Sequence, residues 1–213
     1  APEPLPLPNL DFNIETGDSL LAPDPSAYVF DVTGAIEKAD ALALKKEVYL
    51  EATGDTAREL RAEIKAEEAK IRKLLRKQND EVGSVDFRVH FASVFTKNEG
   101  FDNEGFDIVL ANPPYVRQED LESTFKRKLA SNYETGKSGA GVVNRSDLYC
   151  YFYVRANQLL RKNGVMAFIC SNSWLDVDFG IPLKEYMTVL PHNRSVFGGA
   201  LRRRCVSGAV NAV

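Results

Sequence analysis

Phe106-Asp107-Ile108-Val109-Leu110-Ala111-Asn112-Pro113-Pro114-Tyr115 is the stretch from which the fold is read. Ile108, Val109 and Leu110 form a short continuous apolar run, the pattern of a strand buried on both faces in a parallel sheet covered by helices. Pro113 and Pro114 end it. With no backbone N–H and a fixed φ, they send the chain out of the sheet as a stiff, extended loop at the strand's carboxyl end. Ligand sites of open α/β sheets gather at that edge.

The two prolines leave the loop with backbone carbonyls, beside which Asn112 places an amide oxygen. Two acceptors can thus face one planar –NH2 group, draw its lone pair out of conjugation and make it more nucleophilic. Tyr115 offers a flat face on which an aromatic base can stack. This is the chemistry of an amino-methylation site. The plainer alternative is a tight strand-to-loop turn in which Asn112 bonds its own backbone.

Downstream, Ser146-Asp147-Leu148-Tyr149 opens a helix with Leu148, Phe152, Ala156, Leu159 and Leu160 on one face. Ser146 or Asp147 is placed to cap it, and Asn163-Gly164 to end it before a strand over 165–170. Ser171-Asn172-Ser173-Trp174 follows at the same edge, where a lone Trp is more often a core anchor than a base contact. Between Tyr115 and Asn144 the chain is polar, and the glycines from Thr135 to Gly141 suit a mobile loop near that edge. Gly136-Lys137-Ser138 is not a phosphate-binding P-loop: the motif's first glycine would fall at Ser131, and no strand precedes it.

Upstream, Phe12 and Ile14 alternate with polar residues as in a short strand that ends in a Gly17-Asp18 turn. Residues 35–49 and 56–78 have helical spacing. Thr56 and Glu59 are set as a capping box, with Leu60, Ile64, Ile71, Leu74 and Leu75 along one side and Glu68 placed to pair with Arg72. Together they read as a helical hairpin inserted into an α/β domain. Its basic end, Lys70, Arg72, Lys73, Arg76 and Lys77, reads as a solvated face before a phosphate contact. Val85, Phe87, Val89 and Phe91 alternate as an extended segment returning to the sheet.

The 213 residues suit one α/β domain with a real core, and a formal charge of −3 weighs against a generic nucleic-acid coat while leaving room for a local basic surface. No stretch has the length of a membrane span, and the start lacks a charged-then-apolar leader. Cys150, Cys170 and Cys205 are odd in number and far apart, as reduced thiols of a cytoplasmic protein are. His90 and His192 have no neighbouring ligand pattern, so no metal site is expected.

Phe106 to Tyr115 resembles motif IV of the S-adenosyl-L-methionine (AdoMet)-dependent amino methyltransferases. From about Leu5 to Tyr186 the chain resembles the N6-adenine DNA methyltransferases of the Eco57I and type IIG restriction–modification kind. Asp147-Leu148-Tyr149 resembles their motif V, and Ser171 to Trp174 their Ser-Asn-Ser-Trp loop. The resemblance implies that Asn112, Pro113, Pro114 and Tyr115 form the catalytic loop. It also implies that Asp18, Asp147 and Tyr149 contact AdoMet, and that Tyr115 and Phe197 line a target-base pocket. Double-stranded DNA is the implied partner, with the adenine flipped out of the stack.

The family's glycine-rich cofactor loop and ribose-binding acid would precede Gly17-Asp18 by one βαβ unit and are not in the sequence. The expectation is therefore a fragment of the catalytic domain, lacking its N-terminal part and a target-recognition domain. The fold expected is α/β, a partial Rossmann-like methyltransferase sheet bearing an inserted helical hairpin. Residues 1–22 and 85–190 make the core, 23–84 the insertion, and 191–213 a segment of uncertain role. The same Asn-Pro-Pro-Tyr serves methyltransferases acting on protein glutamine or RNA guanine, but the long insertion, the Asp-Leu-Tyr helix and the Ser-Asn-Ser-Trp loop favour DNA. A non-catalytic fragment serving as a nucleic-acid-binding module is the third reading.

Overall fold

A computed structural model describes residues 8–25, 34–76, 83–95, 104–133 and 142–189. The chain divides between Gly105 and Phe106 into two compact units, Ala1–Gly105 and Phe106–Val213.

The first unit is built on the anticipated helical hairpin. Helices α1 (Ala35–Glu51) and α2 (Gly54–Arg76) pack along their apolar stripes. Leu42 and Tyr49 of α1 meet Ile64 and Ile71 of α2 in a core that also takes in Phe12 and Val89, with Leu60 and Leu74 partly buried against it. Side chains such as Leu42 and Ile64, removed entirely from water, each contribute about 1.5–3 kcal/mol. Across the hairpin Lys45 bonds Glu63 (3.3 Å) and Glu67 (2.5 Å). The Tyr49 hydroxyl donates to Asp11 at 2.5 Å, which holds that carboxyl below its usual range.

Four local expectations fail in this unit. Helix α2 begins at Gly54, so Thr56 lies inside its first turn and cannot head a capping box. Glu68 pairs not with Arg72 but across the hairpin with buried Lys46, at 2.6 Å. The Phe12–Ile14 stretch is no strand: Asp11–Asn13 form a turn, Ile14 is 72% exposed, and pairing is limited to one parallel bridge between Asp18 and Ser84. The segment after Val85 is helical. Asp86 caps α3 (Phe87–His90) by accepting from Val89 N, and α4 (Ala92–Phe95) follows. Its alternation misled because Arg88 and His90, on what would be the wet face of a strand, are themselves buried; Arg88 pairs with Glu104 at 2.9 Å.

The second unit contains the anticipated central strand, β1 (Phe106–Ala111), paired in parallel with β2 (Leu160–Phe168). Two helices lie between them in sequence, α5 (Ser123–Tyr133) and α6 (Leu148–Leu159), as a parallel connection requires. Helix α5 occupies part of what reads as a polar loop. Tyr133 meets Tyr151 of α6 edge-to-face, and the Arg155 guanidinium lies over the Tyr133 ring. Residues 135–141, the whole glycine-rich stretch, and all of 190–213 lie outside the described residues.

The architecture is thus mixed α/β with a two-stranded parallel sheet among the described residues. Helix α6 packs against both strands, and the partners Val109–Met166 and Ala111–Phe168 are half-buried. The expectation of burial on both faces is wrong. Ile108 (60% exposed) pairs with equally exposed Val165, and Leu110 is 74% exposed, because no described element covers that face.

Nor does Asn163-Gly164 end the helix. Phe106 pairs with Leu160 and Ile108 with Val165, so β2 accommodates extra residues at this point, with Asn163 in the left-handed region at φ 63°. A Cβ at Gly164 would lie 2.9 Å from the Phe106 carbonyl oxygen, too close for any other residue.

Candidate functional site

The site is the carboxyl edge of the two strands. Ile169 N donates to Ala111 O at 3.0 Å, one step past the paired residues, and there the prolines turn the chain away. Pro113 is buried, while Asn112, Pro114 and Tyr115 are exposed. No hydrogen bond to the Asn112 side chain is made among the described residues, so the turn-forming alternative for this asparagine does not hold. The Tyr115 hydroxyl donates to Ile169 O at 3.1 Å, which leaves the ring 58% exposed. Loop and strand end thereby present an amide, a carbonyl-bearing backbone and an aromatic face on one short segment. Such a set can accept both hydrogens of a planar amino group and stack the ring that carries it.

Helix α6 supports this loop from its N-terminus. Leu148 N donates to Val116 O (3.0 Å), and Gln118 N donates to Asp147 Oδ1 (3.1 Å). Neither Ser146 nor Asp147 caps the helix through its side chain. Fully buried Ser146 accepts from Val143 N, and Asp147 turns to the loop.

The Ser171–Trp174 loop is fastened to the same helix. The Tyr149 and Ser173 hydroxyls lie 3.0 Å apart, and Ser171 Oγ lies 2.8 Å from Ser173 Oγ. Trp174 is 5% exposed and packs 5.5 Å from the Tyr153 ring, an anchor in the core. Burial pushes the Tyr149 phenol up to about 12 and raises Cys150 and Cys170 as well. All three stay protonated near neutral pH, which suits structural groups and not nucleophiles.

Behind the loop a short turn at Asp178–Gly180 leads into α7 (Ile181–Val189). A Cβ on Gly180 would run into the Trp174 carbonyl.

Of the residues expected to act together, Asn112, Pro113, Pro114, Tyr115, Asp147 and Tyr149 belong to this one unit. Asp18 belongs to the other, where its Oδ1 accepts from Leu20 N and Leu21 N at 2.8 Å each, a capped turn. Phe197 lies outside the described residues. The Ile169 carbonyl and the Gln118 amide are the partners that sequence reasoning missed; both are backbone groups, which leave no mark on residue type. No His, Cys, Asp and Glu grouping able to hold a metal occurs among the described residues, and no described helix is long and apolar enough to cross a membrane.

A parallel α/β unit with Asn-Pro-Pro-Tyr at the carboxyl end of a strand carries the loop by which the sequence resembles the methyltransferases. Residues 32–196, well over half of the chain, match the model of the Eco57I restriction-modification methylase family, and the chain belongs to that family. It is 35% identical over 83 residues to the type II methyltransferase M.XhoI of Xanthomonas vasicola, a stretch that is 39% of this chain and 14% of that protein. It is 34% identical over 83 residues to M.BstVI of Geobacillus stearothermophilus, again 39% and 14%. To the type II restriction enzyme and methyltransferase RM.Eco57I of Escherichia coli it is 27% identical over 93 residues, 40% of this chain and 8% of that protein. The chain thus spans only a small part of the length of the curated relatives it matches.

Proposed function

We propose that this chain carries the target-amino loop of a restriction–modification DNA methyltransferase that transfers a methyl group from AdoMet to N6 of adenine. The observation that carries the reading is Asn112: an exposed amide with no hydrogen-bond partner among the described residues, beside buried Pro113 and exposed Tyr115, at a strand's carboxyl end. The names of the relatives, type II methyltransferases, support DNA as the substrate.

An adenine amino group is out of reach of such a loop inside a duplex, so the base is flipped out. Tyr115 stacks on the flipped ring. Asn112 Oδ1 and the Pro113 carbonyl accept the two amino hydrogens, which localises the lone pair on N6 and directs it. The loop contributes positioning and needs no strong base, since the proton is lost from an already methylated, acidic nitrogen. Phe197 is assigned to the same base pocket by resemblance.

The resemblance assigns Asp18, Asp147 and Tyr149 to AdoMet; of these the Asp18 carboxylate fits as an acceptor for the donor groups of that ligand, while Asp147 acts through the Asn-Pro-Pro-Tyr loop to which it is bonded. When bound, AdoMet supplies an electrophilic methyl group on a sulfonium sulfur. Asp18 is the residue we assign to its adenosine end, while buried Tyr149 shapes the pocket wall by holding Ser173.

The test is Asn112→Ala in the intact methyltransferase. Loss of at least about a hundredfold in kcat for DNA adenine methylation is expected, since one preorganised polar contact to a reacting group is worth that much. Methylation at the wild-type rate would overturn the proposal.

A further inference from the structure

Resting on that reading, we infer that Asp147 is a positioning residue whose carboxylate braces the Asn-Pro-Pro-Tyr loop, with the Ile169 carbonyl holding the loop from its other side. An aspartate just before a helix ordinarily turns its side chain onto an N–H of the first turn. Asp147 stands at that place, with extended backbone angles (φ −64°, ψ 156°), yet makes no such bond. Its Oδ1 accepts from Gln118 N, 29 residues away in sequence, at 3.1 Å. The next residue repeats the choice: Leu148 N donates to Val116 O at 3.0 Å.

The start of α6 therefore sends both a donor and an acceptor to the loop, at positions two residues apart. These two bonds fix the far end of the loop. Its near end is fixed by Tyr115 donating to Ile169 O at 3.1 Å, and Ile169 N in turn bonds Ala111 O at the strand end. Between the strand end at Ala111 and the tethered Tyr115, the φ angles of Pro113 and Pro114 are preset by their rings. The consequence is that the Pro113 carbonyl and the Tyr115 ring are set in direction before any substrate arrives, and neither the stacking face of Tyr115 nor the Asn112 amide is consumed in doing so.

Two variants and two readouts test the brace. In the 213-residue chain, Asp147→Ala is expected to speed amide hydrogen exchange at Gln118 by roughly tenfold or more, the worth of a lost charge-assisted bond. Asp147→Asn keeps an oxygen acceptor and should stay within about threefold of wild type, with the Ile64 amide of the first unit unchanged in both. In the intact methyltransferase, Asp147→Ala should lower kcat roughly tenfold to a hundredfold with KM for AdoMet unchanged, and Asp147→Asn should restore most of it. Unchanged exchange at Gln118 in Asp147→Ala would overturn the brace. So would a rise in KM for AdoMet at constant kcat in both variants, which would make Asp147 a cofactor contact. A wild-type rate in Asn112→Ala sinks the methylation reading instead and leaves the exchange result standing.

Discussion

The two units each break the rule of apolar inside and polar outside, and do so most plainly at different kinds of residue. The first buries charge: Lys46, Glu68 and Arg88 are all nearly removed from solvent within or beside the helical hairpin, with the neutral imidazole of His90 among them. The second exposes hydrocarbon, with Ile108, Leu110, Val165 and Ile169 open on one side of its sheet and its edge. The buried charges are compensated one by one. Lys46 meets Glu68 at 2.6 Å and donates to the Val89 and His90 carbonyls at 3.1 and 2.6 Å. The exposed apolar residues have no such local answer. Buried charge here is architecture, whereas the bare face belongs to a sheet whose cover is not among the described residues.

The sharpest way to break this contrast is to remove Lys46. Lys46→Ala leaves the Glu68 carboxylate buried without its cation, and the first unit should lose about 3–5 kcal/mol. The loss should appear in denaturant unfolding followed by helical circular dichroism. Fluorescence of Trp174, the one tryptophan in the sequence, reads the second unit and should shift much less. Equal shifts in both signals would mean that the units unfold as one.

Acid should act on the same region. Burial, helped by the nearby Arg72 and Lys46 cations and opposed by a bond to the Asp86 backbone, lowers His90 to about 4. The unfolded chain therefore takes up a proton near pH 6.5 that the folded chain refuses. Stability is full above pH 6.5, falls as pH drops, and is lost by up to roughly 3 kcal/mol once pH is below 4. His90→Asn should flatten that part of the helical stability-against-pH curve, and an unaltered slope would count against the buried neutral imidazole.

The smallest effect belongs to the open face. Leu110→Ser should change unfolding free energy by less than about 0.5 kcal/mol, because the side chain is already in water. A loss of 2 kcal/mol or more would show that the face is covered in solution.

How much of this could be read beforehand depended on whether the cause was local. The Asn-Pro-Pro-Tyr loop was legible because two prolines leave one way out of a strand, and the hairpin because Leu42, Tyr49, Ile64 and Ile71 keep helical period. Helix α5 carried a signal that went unused: Phe125, Leu129 and Tyr133 recur every fourth residue, and the last two are fully buried. The stretch after Val85 could not be read this way. Its helix depends on Arg88 finding Glu104, a tertiary event that no periodicity encodes. The open sheet face was illegible for a similar reason, since an apolar run states what a strand can bury and not whether anything covers it.

The turn at Gly180 has a consequence at the level of the gene. Every glycine codon begins with two guanines, and replacing either of them yields a residue with a β-carbon or a stop. Since a β-carbon there would occupy the place of the Trp174 carbonyl, only third-base changes in this codon leave the Ser171–Trp174 loop undisturbed.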